Sequence, residues 1–143
     1  MKNKKTKVFF EFIHLKFVDD YPDGCLSVIE NDRNVPFKIK RVYYINKLRN
    51  KNAIRGLHAH KKLKQAIFCL QGSFDLQLDS GSQKKRLHLH KSEVGVYLMP
   101  KVWHVMRNFS RDCVILVLAS DFYKESDYIR DYSEFKKYVG KRP

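Results

Sequence analysis

Acidic side chains are scarce in this chain: 15 Asp and Glu stand against 29 Lys and Arg, a formal charge of +14 over 143 residues. Such an excess favours an anionic partner but does not choose among nucleic acid, a membrane surface and a phosphorylated metabolite. No C-x2-C finger, helix-turn-helix signature or RNP-type aromatic motif accompanies the charge, which excludes the common nucleic-acid modules. The basic runs Met1–Lys7, Lys47–Lys64, Lys84–Arg86 and Lys136–Arg142 are scattered and rich in lysine, so they read as solvated surface, and no nucleic-acid partner is expected. Cysteine is also sparse. Cys25, Cys69 and Cys113 are odd in number and widely spaced, which argues against a disulfide framework. Cys69 and Cys113 sit in apolar runs and read as small buried residues. No apolar run approaches membrane-spanning length. The basic start leads into Val8-Phe9-Phe10-Glu11-Phe12, too short and too soon broken by charge for a signal peptide. The expectation is a cytoplasmic protein without a membrane partner. No linker, repeat or low-complexity tract divides residues 1–143, which are enough for one domain with one continuous core.

What is present is aromatic and strand-like. Ten Phe and eight Tyr fall within 43% apolar residues, a balance that suits a folded core and not disorder. Short apolar or alternating segments predict strands at Lys7–His14, Cys25–Glu30, Phe37–Ile45, Arg55–His60, Gln65–Leu70, Ser73–Leu78, Lys85–His90, Gly95–Met99, Trp103–Phe109 and Asp112–Ser120. Asp19-Asp20-Tyr21-Pro22-Asp23-Gly24 is a turn. Only the tail changes character. From Glu125 to Val139 the pattern admits one or two short helices, with Tyr128, Tyr132, Phe135 and Val139 on a shared face. Many short strands in a small chain predict an all-β barrel or two-sheet sandwich, whose mouth is a natural small-molecule site.

The densest polar cassette is Arg55-Gly56-Leu57-His58-Ala59-His60-Lys61-Lys62. Side chains two apart on a strand share a face, so Gly56, His58 and His60 point one way and Leu57, Ala59 and Lys61 the other. Gly56 permits close approach of another chain segment or a ligand. Farther on, His104 shares a face with Met106 and Asn108, while Trp103 faces oppositely unless a bulge re-aims it. Three converging imidazoles suit a transition metal. They equally suit proton transfer, because imidazole titrates near neutrality. No Asp or Glu occurs from Asn52 to Phe74, and the next candidate ligand after His60 is the neutral Gln65. Arg41 and Tyr43 share a face in Lys40-Arg41-Val42-Tyr43-Tyr44-Ile45. Arg41 offers a planar fork for an anion, and Tyr43 offers a hydroxyl for positioning or proton transfer. Arg55, Lys61 and Lys62 add positive potential beside the histidines.

The histidine segments resemble the two cupin motifs. The first is carried by Gly56, His58, His60, Gln65 and Gly72, the second by Gly95, Pro100, His104 and Asn108. Gln65 stands where cupins place a carboxylate metal ligand. A closer resemblance runs along nearly the whole chain, to the dTDP-sugar 3,4-ketoisomerase family, the WxcM-like cupins. It rests on Glu30–Ile45, Arg55–Lys61, Gln65, Gly72, Val94–Tyr97, Trp103-His104, Val117–Tyr123 and Asp127–Tyr132. The resemblance implies a double-stranded β-helix jelly-roll barrel with a short C-terminal helical segment. It implies conversion of dTDP-4-keto-6-deoxy-D-glucose to dTDP-3-keto-6-deoxy-D-galactose, or to the gluco epimer, in deoxyamino-sugar biosynthesis, with no metal and no cofactor. His60 would be the base, with His58 and Tyr43 as proton-handling partners. Arg41, Arg55, Lys61, Gln65, Tyr97, Trp103 and His104 are the candidate substrate contacts. It further implies a homodimer that exchanges an N-terminal strand. Asp23-Gly24 departs from the Arg-Gly common in the family at this point. The competing readings are a metal-dependent cupin enzyme and a non-catalytic cupin that binds sugar nucleotides.

Overall fold

A computed structural model of the protein describes residues 7–141, so the basic run at residues 1–6 lies outside the described residues. After the strand β1 (Phe10–His14), a hairpin of β2 (Lys16–Asp19) and β3 (Cys25–Val28) stands as its own two-stranded sheet. There follow β4 (Arg41–Ile45), β5 (Arg55–His60), β6 (Gln65–Gln71), β7 (Phe74–Asp79) and β8 (Lys84–Leu89). Three more long strands complete the body: β9 (Val94–Leu98), β10 (Trp103–Arg107) and β11 (Val114–Ala119). The tail gives a 3-10 turn at Glu125–Asp127, the two-residue β12 (Tyr128–Ile129) and one helix, α1 (Tyr132–Gly140). That helix starts on the Asp131 side chain, which accepts from the Glu134 amide, an N-cap bond that satisfies one otherwise orphaned donor. No helix among the described residues is long and apolar enough to cross a membrane.

The strands form two antiparallel five-stranded sheets, in the orders β1-β9-β6-β11-β4 and β12-β5-β10-β7-β8. The expected jelly-roll layering is present, but no sheet closes on itself into a barrel among the described residues. Alternation explains the core between the sheets. Ile67 and Cys69, Val96 and Leu98, Ile115 and Val117 point inward from one sheet, and Leu76, Leu78 and Met106 from the other. This is the buried apolar surface that drives folding, at about 25 cal/mol per Å². A second cluster lies on the outer face of the first sheet, where Val35 and Phe37 cover Ala66, Phe68 and Leu118. Here the expected strand Phe37–Ile45 shortens to Arg41–Ile45, because Phe37 and Ile39 are packed across that face instead of joining its ladder.

A third cluster binds the tail to the back of the second sheet. Ala59, Trp103 and Val105 face outward there and are buried by Ile129 and Phe135. The expected helical face is thereby corrected in part. Tyr132, Phe135 and Val139 belong to α1, but Tyr128 does not. It lies on β12, paired with His60 of β5, and so points to the inner side.

Candidate active site

Three imidazoles meet at one end of the sandwich. His58 and His60 come from β5, and His104 comes from β10 directly opposite His58. Ring centroids are 4.4 Å apart for His58–His104, 4.9 Å for His58–His60 and 6.0 Å for His60–His104. One ligand atom from each lies within 4.8 Å of the others. Their closeness depends on Gly56. Its φ is +85°, and a Cβ there would sit 2.7 Å from the His104 carbonyl oxygen. The strand register also shifts at this point, since His104 pairs with His58 but Val105 pairs with Gly56. Leu57 is the extra residue, with φ of 55°. A bulge reverses which face later residues take, and it brings Arg55 opposite Met106, on the histidine side. Strict alternation would have sent Arg55 outward with Leu57.

The resulting cleft, of about 570 Å³, is lined by Arg41 and Tyr43 of β4, by Arg55, His58 and His104, and by Tyr123, Tyr128 and Arg130 from the tail, while His60 lines an adjoining cleft that shares Arg41 and Tyr128 with it. A larger groove of about 1060 Å³ lies elsewhere, edged by Lys101, Lys136 and Val139, but lacks converging histidines. Gln65 is buried and donates to the Tyr43 hydroxyl at 2.9 Å. Arg41 lies over the Tyr43 ring at 5.5 Å, and its Nε is buried without a partner. Arg130 stacks on Tyr128 at 4.2 Å and is held by Glu125 at 2.6 and 2.9 Å.

Burial sets the protonation states. It pushes the His60 imidazole down to about 3, with His58, Arg41 and Arg130 acting the same way. Burial also lowers His58 and holds His104 well below the usual imidazole value. All three are therefore neutral at pH 7. Tyr43 is raised to about 12, chiefly by burial and then by Tyr128, so its phenol keeps its proton. His58 Nδ1 lies 2.9 Å from the Gly56 carbonyl. A carbonyl only accepts, so that nitrogen carries the hydrogen. Neutral imidazoles can ligate a divalent ion. Here, however, the candidate ligand group among the described residues is the three histidines alone, Gln65 already serves Tyr43, and Arg41, Arg55 and Arg130 add positive charge to the cleft that His58 and His104 line. The donor set favours proton chemistry on an anionic substrate.

Not every expected contact converges. Trp103 faces outward and packs on Tyr132 and Phe135, with centroids at 5.3 and 5.7 Å. The bulge lies on β5 and leaves β10 regular there, so alternation turns Trp103 away from His104. Tyr97 lies on the outer face of its sheet against Phe37, at 6.0 Å. Lys61 borders a neighbouring cleft and donates to the Ser126 carbonyl at 2.8 Å. Asp23 sits in the exposed turn between β2 and β3. Conversely, Tyr128, Arg130 and Tyr123 line the cleft but were not expected there from the sequence. Their signal was the i, i+2 spacing of Tyr128 and Arg130, which shares a face only in extended chain.

Comparison with known proteins points the same way. Residues 9–140 match the family described as "FdtA: WxcM-like, C-terminal". The chain is 52% identical over 118 residues to the TDP-4-oxo-6-deoxy-alpha-D-glucose-3,4-oxoisomerase of Aneurinibacillus thermoaerophilus, covering 82% of this chain and 84% of that protein. It is similar to the sugar 3,4-ketoisomerase QdtA of Thermoanaerobacterium thermosaccharolyticum in complex with TDP, with a TM-score of 0.88 and 42% identity, over 92% of this chain and 95% of the other. A histidine-to-asparagine variant of QdtA in complex with TDP-4-keto-6-deoxyglucose gives a TM-score of 0.91 at 41% identity, over 96% and 98% of the two chains.

Proposed function

Because the chain belongs to the WxcM-like dTDP-sugar 3,4-ketoisomerase family, we propose that it converts dTDP-4-keto-6-deoxy-D-glucose into dTDP-3-keto-6-deoxy-D-galactose without a metal or cofactor. The observation that carries this reading is a buried, neutral His60 with ring nitrogens free of hydrogen-bond partners, packed against the His58 and His104 rings that line a cleft edged by three arginines. The C3 hydrogen of the substrate is acidic because it is α to the C4 ketone. His60 removes it and leaves an enediolate across C3 and C4. A proton returns to C4 and the oxygen protons redistribute, so the carbonyl ends at C3. Tyr43, protonated at neutral pH, and His58 handle the oxygen protons. Donors already in place stabilise the developing negative oxygen without reorganisation. Arg41, Arg55 and Arg130 supply positive charge for that oxyanion and for the diphosphate, as the planar guanidinium fork suits phosphate.

Metal-stripped protein incubated with the 4-keto sugar nucleotide in deuterated water is expected to give a 3-keto product carrying deuterium at C4, followed by NMR. Ring couplings then report galacto or gluco configuration. Turnover that appears only when a metal is added would favour a metal-dependent cupin enzyme. TDP binding without any conversion would favour a binding protein.

The same family membership supports a homodimer with an exchanged N-terminal strand. Val42, Tyr44 and Leu70 stand exposed on the outer face of the first sheet, a patch suited to burial against another subunit. β1 pairs with β9 of its own chain, His14 opposite Val94, and an exchanged strand would make the same contacts in a second copy. A His14→Cys/Val94→Cys variant in a Cys25→Ser background is therefore expected to form oxidised chains that run as dimers on a denaturing gel. Monomers only, with the cross-link formed within each chain, would reject exchange.

A further inference from the structure

Asp127 is outside every histidine segment, yet its carboxylate reaches the proposed base. Oδ2 lies 3.3 Å from His60 Nδ1, with the two side chains 17% and 4% exposed. The carboxylate is held in place by backbone. Oδ1 accepts from the Lys62 amide at 2.9 Å and Oδ2 from the Leu63 amide at 3.2 Å. The Asp127 carbonyl accepts from the Lys61 amide at 2.9 Å. The next residue, Tyr128, pairs with His60 across β12 and β5. On the other flank, the His60 carbonyl accepts from the Lys101 amide at 2.6 Å. Imidazole and carboxylate are thus each anchored, side by side.

From this geometry we propose that Asp127 is the positioning residue for His60, holding the hydrogen on Nδ1 so that the Nε2 lone pair faces the substrate carbon. The inference rests on the ketoisomerase reading, since that reading makes His60 the base. Its chemistry is that of any imidazole base backed by a carboxylate. A neutral imidazole has one donor and one acceptor nitrogen, and the partner of one nitrogen decides the tautomer. In the resting state the contact is within ion-pair distance but not aligned as a hydrogen bond, so Nδ1 counts as unpartnered. Catalytic hydrogen bonds are often poorly aligned without substrate and tighten in the complex.

The carboxylate also answers an electrostatic problem. The groups facing His60 are His58, His104 and Tyr128, the Arg41 and Arg130 guanidinium groups, and Asp127. Burial and the two arginines both oppose the imidazolium that forms when His60 takes the C3 proton. Among the groups within ion-pair reach of the ring, Asp127 is the acid, and a nearby negative charge favours the protonated imidazole. No proton passes to Asp127 in this scheme. The proton on His60 exchanges with solvent before a proton returns to C4.

The test compares wild-type protein with Asp127→Asn and Asp127→Ala. First, 15N NMR of imidazole-labelled protein reads the His60 tautomer without any turnover. Wild type is expected to show Nδ1 protonated, and the alanine variant is expected to shift toward the Nε2-protonated form. Second, kcat is expected to fall ~10²-fold in the asparagine variant with KM little changed, in the range a positioned acid–base group contributes. Third, the acid limb of the kcat/KM profile is expected to move to lower pH, because losing the carboxylate makes His60 harder to protonate. A wild-type His60 carrying its hydrogen on Nε2 would overturn the inference. So would an unmoved tautomer in the alanine variant together with an unmoved acid limb in the asparagine variant, which would indicate a merely structural carboxylate. Absence of wild-type turnover would defeat the ketoisomerase reading instead, and the tautomer measurement would still decide the role of Asp127. If the alanine variant does not fold, the wild-type tautomer and the asparagine profile decide the matter.

Discussion

Replacing His60 with asparagine is expected to cut isomerisation on the order of 10³-fold while TDP binding persists. Asparagine keeps a polar group of smaller volume in the same place but cannot accept the C3 proton at neutral pH. In the proposed function the diphosphate meets Arg41, Arg55 and Arg130 and not His60, so TDP affinity is expected to hold within a few-fold. NMR turnover and calorimetric titration with TDP separate the two effects. Near-normal turnover in the variant would end the assignment of His60 as base. Stability supplies an independent readout with a definite sign. In the folded chain His60 titrates near 3, below the ordinary imidazole value of 6.5. Between those two values the unfolded chain binds the proton and the folded chain does not, so stability rises with pH there. The contribution is fully present above about 6.5 and is lost as pH falls toward 3. His60→Asn removes this site, so urea midpoints measured across that window should fall less steeply in the variant than in wild type.

A second large effect is expected from Gly56→Ala, a change of one methyl group with no loss of chemistry. Alanine at φ of +85° is strained, and its Cβ would lie 2.7 Å from the His104 carbonyl oxygen and 3.4 Å from the His104 ring carbon Cδ2. The cost in stability is expected to be about 2–4 kcal/mol, combining the left-handed penalty with overpacking. Because the clash falls on the His104 backbone, relief must separate β5 from β10. That opens the His58–His104 contact and displaces Arg55. Activity should therefore fall beyond what the unfolded fraction explains. Gly24→Ala is the matched control: φ is +126°, but no atom lies within 4 Å of the added Cβ, so only backbone strain applies. Equal unfolding midpoints for the two variants would show that close packing at Gly56 is unimportant.

Both effects arise at residues that stood out in the sequence, for a physical reason. His58 and His60 are two apart on a strand, and the period of two needs no tertiary information to place them together. The β5 bounds Arg55–His60 match the expected strand, because the cassette's polarity and the flanking lysines mark its ends. Gly56 was legible as a close-approach position, although not which segment approaches. Local pattern misleads where it competes with distant packing. Lys16–Asp19 forms a strand that no alternation signalled, since all four of its residues are exposed. Tyr128 fits a helical face with Tyr132 and Phe135, yet it pairs with His60 as a strand. The backbone hydrogen bonds available along the open edge of β5 outweigh a weak helical preference in a two-residue stretch.

The sequence by itself determined the strand-rich architecture, the paired histidines, the lack of a carboxylate near them in the chain and the distant His104, because each is a matter of residue type and short-range period. Only the tertiary structure decided what surrounds them. The bulge at Leu57 turns Arg55 inward, alternation on β10 turns Trp103 outward, and the tail returns across β5 to set Asp127 3.3 Å from His60. The physical reason is common to all three. A strand's face depends on its register with a neighbour that is remote in the chain, and a one-residue shift reverses it. The pKa values follow the same division. Imidazole and phenol chemistry come with the residues, but burial between two sheets is what keeps the three histidines neutral and Tyr43 protonated.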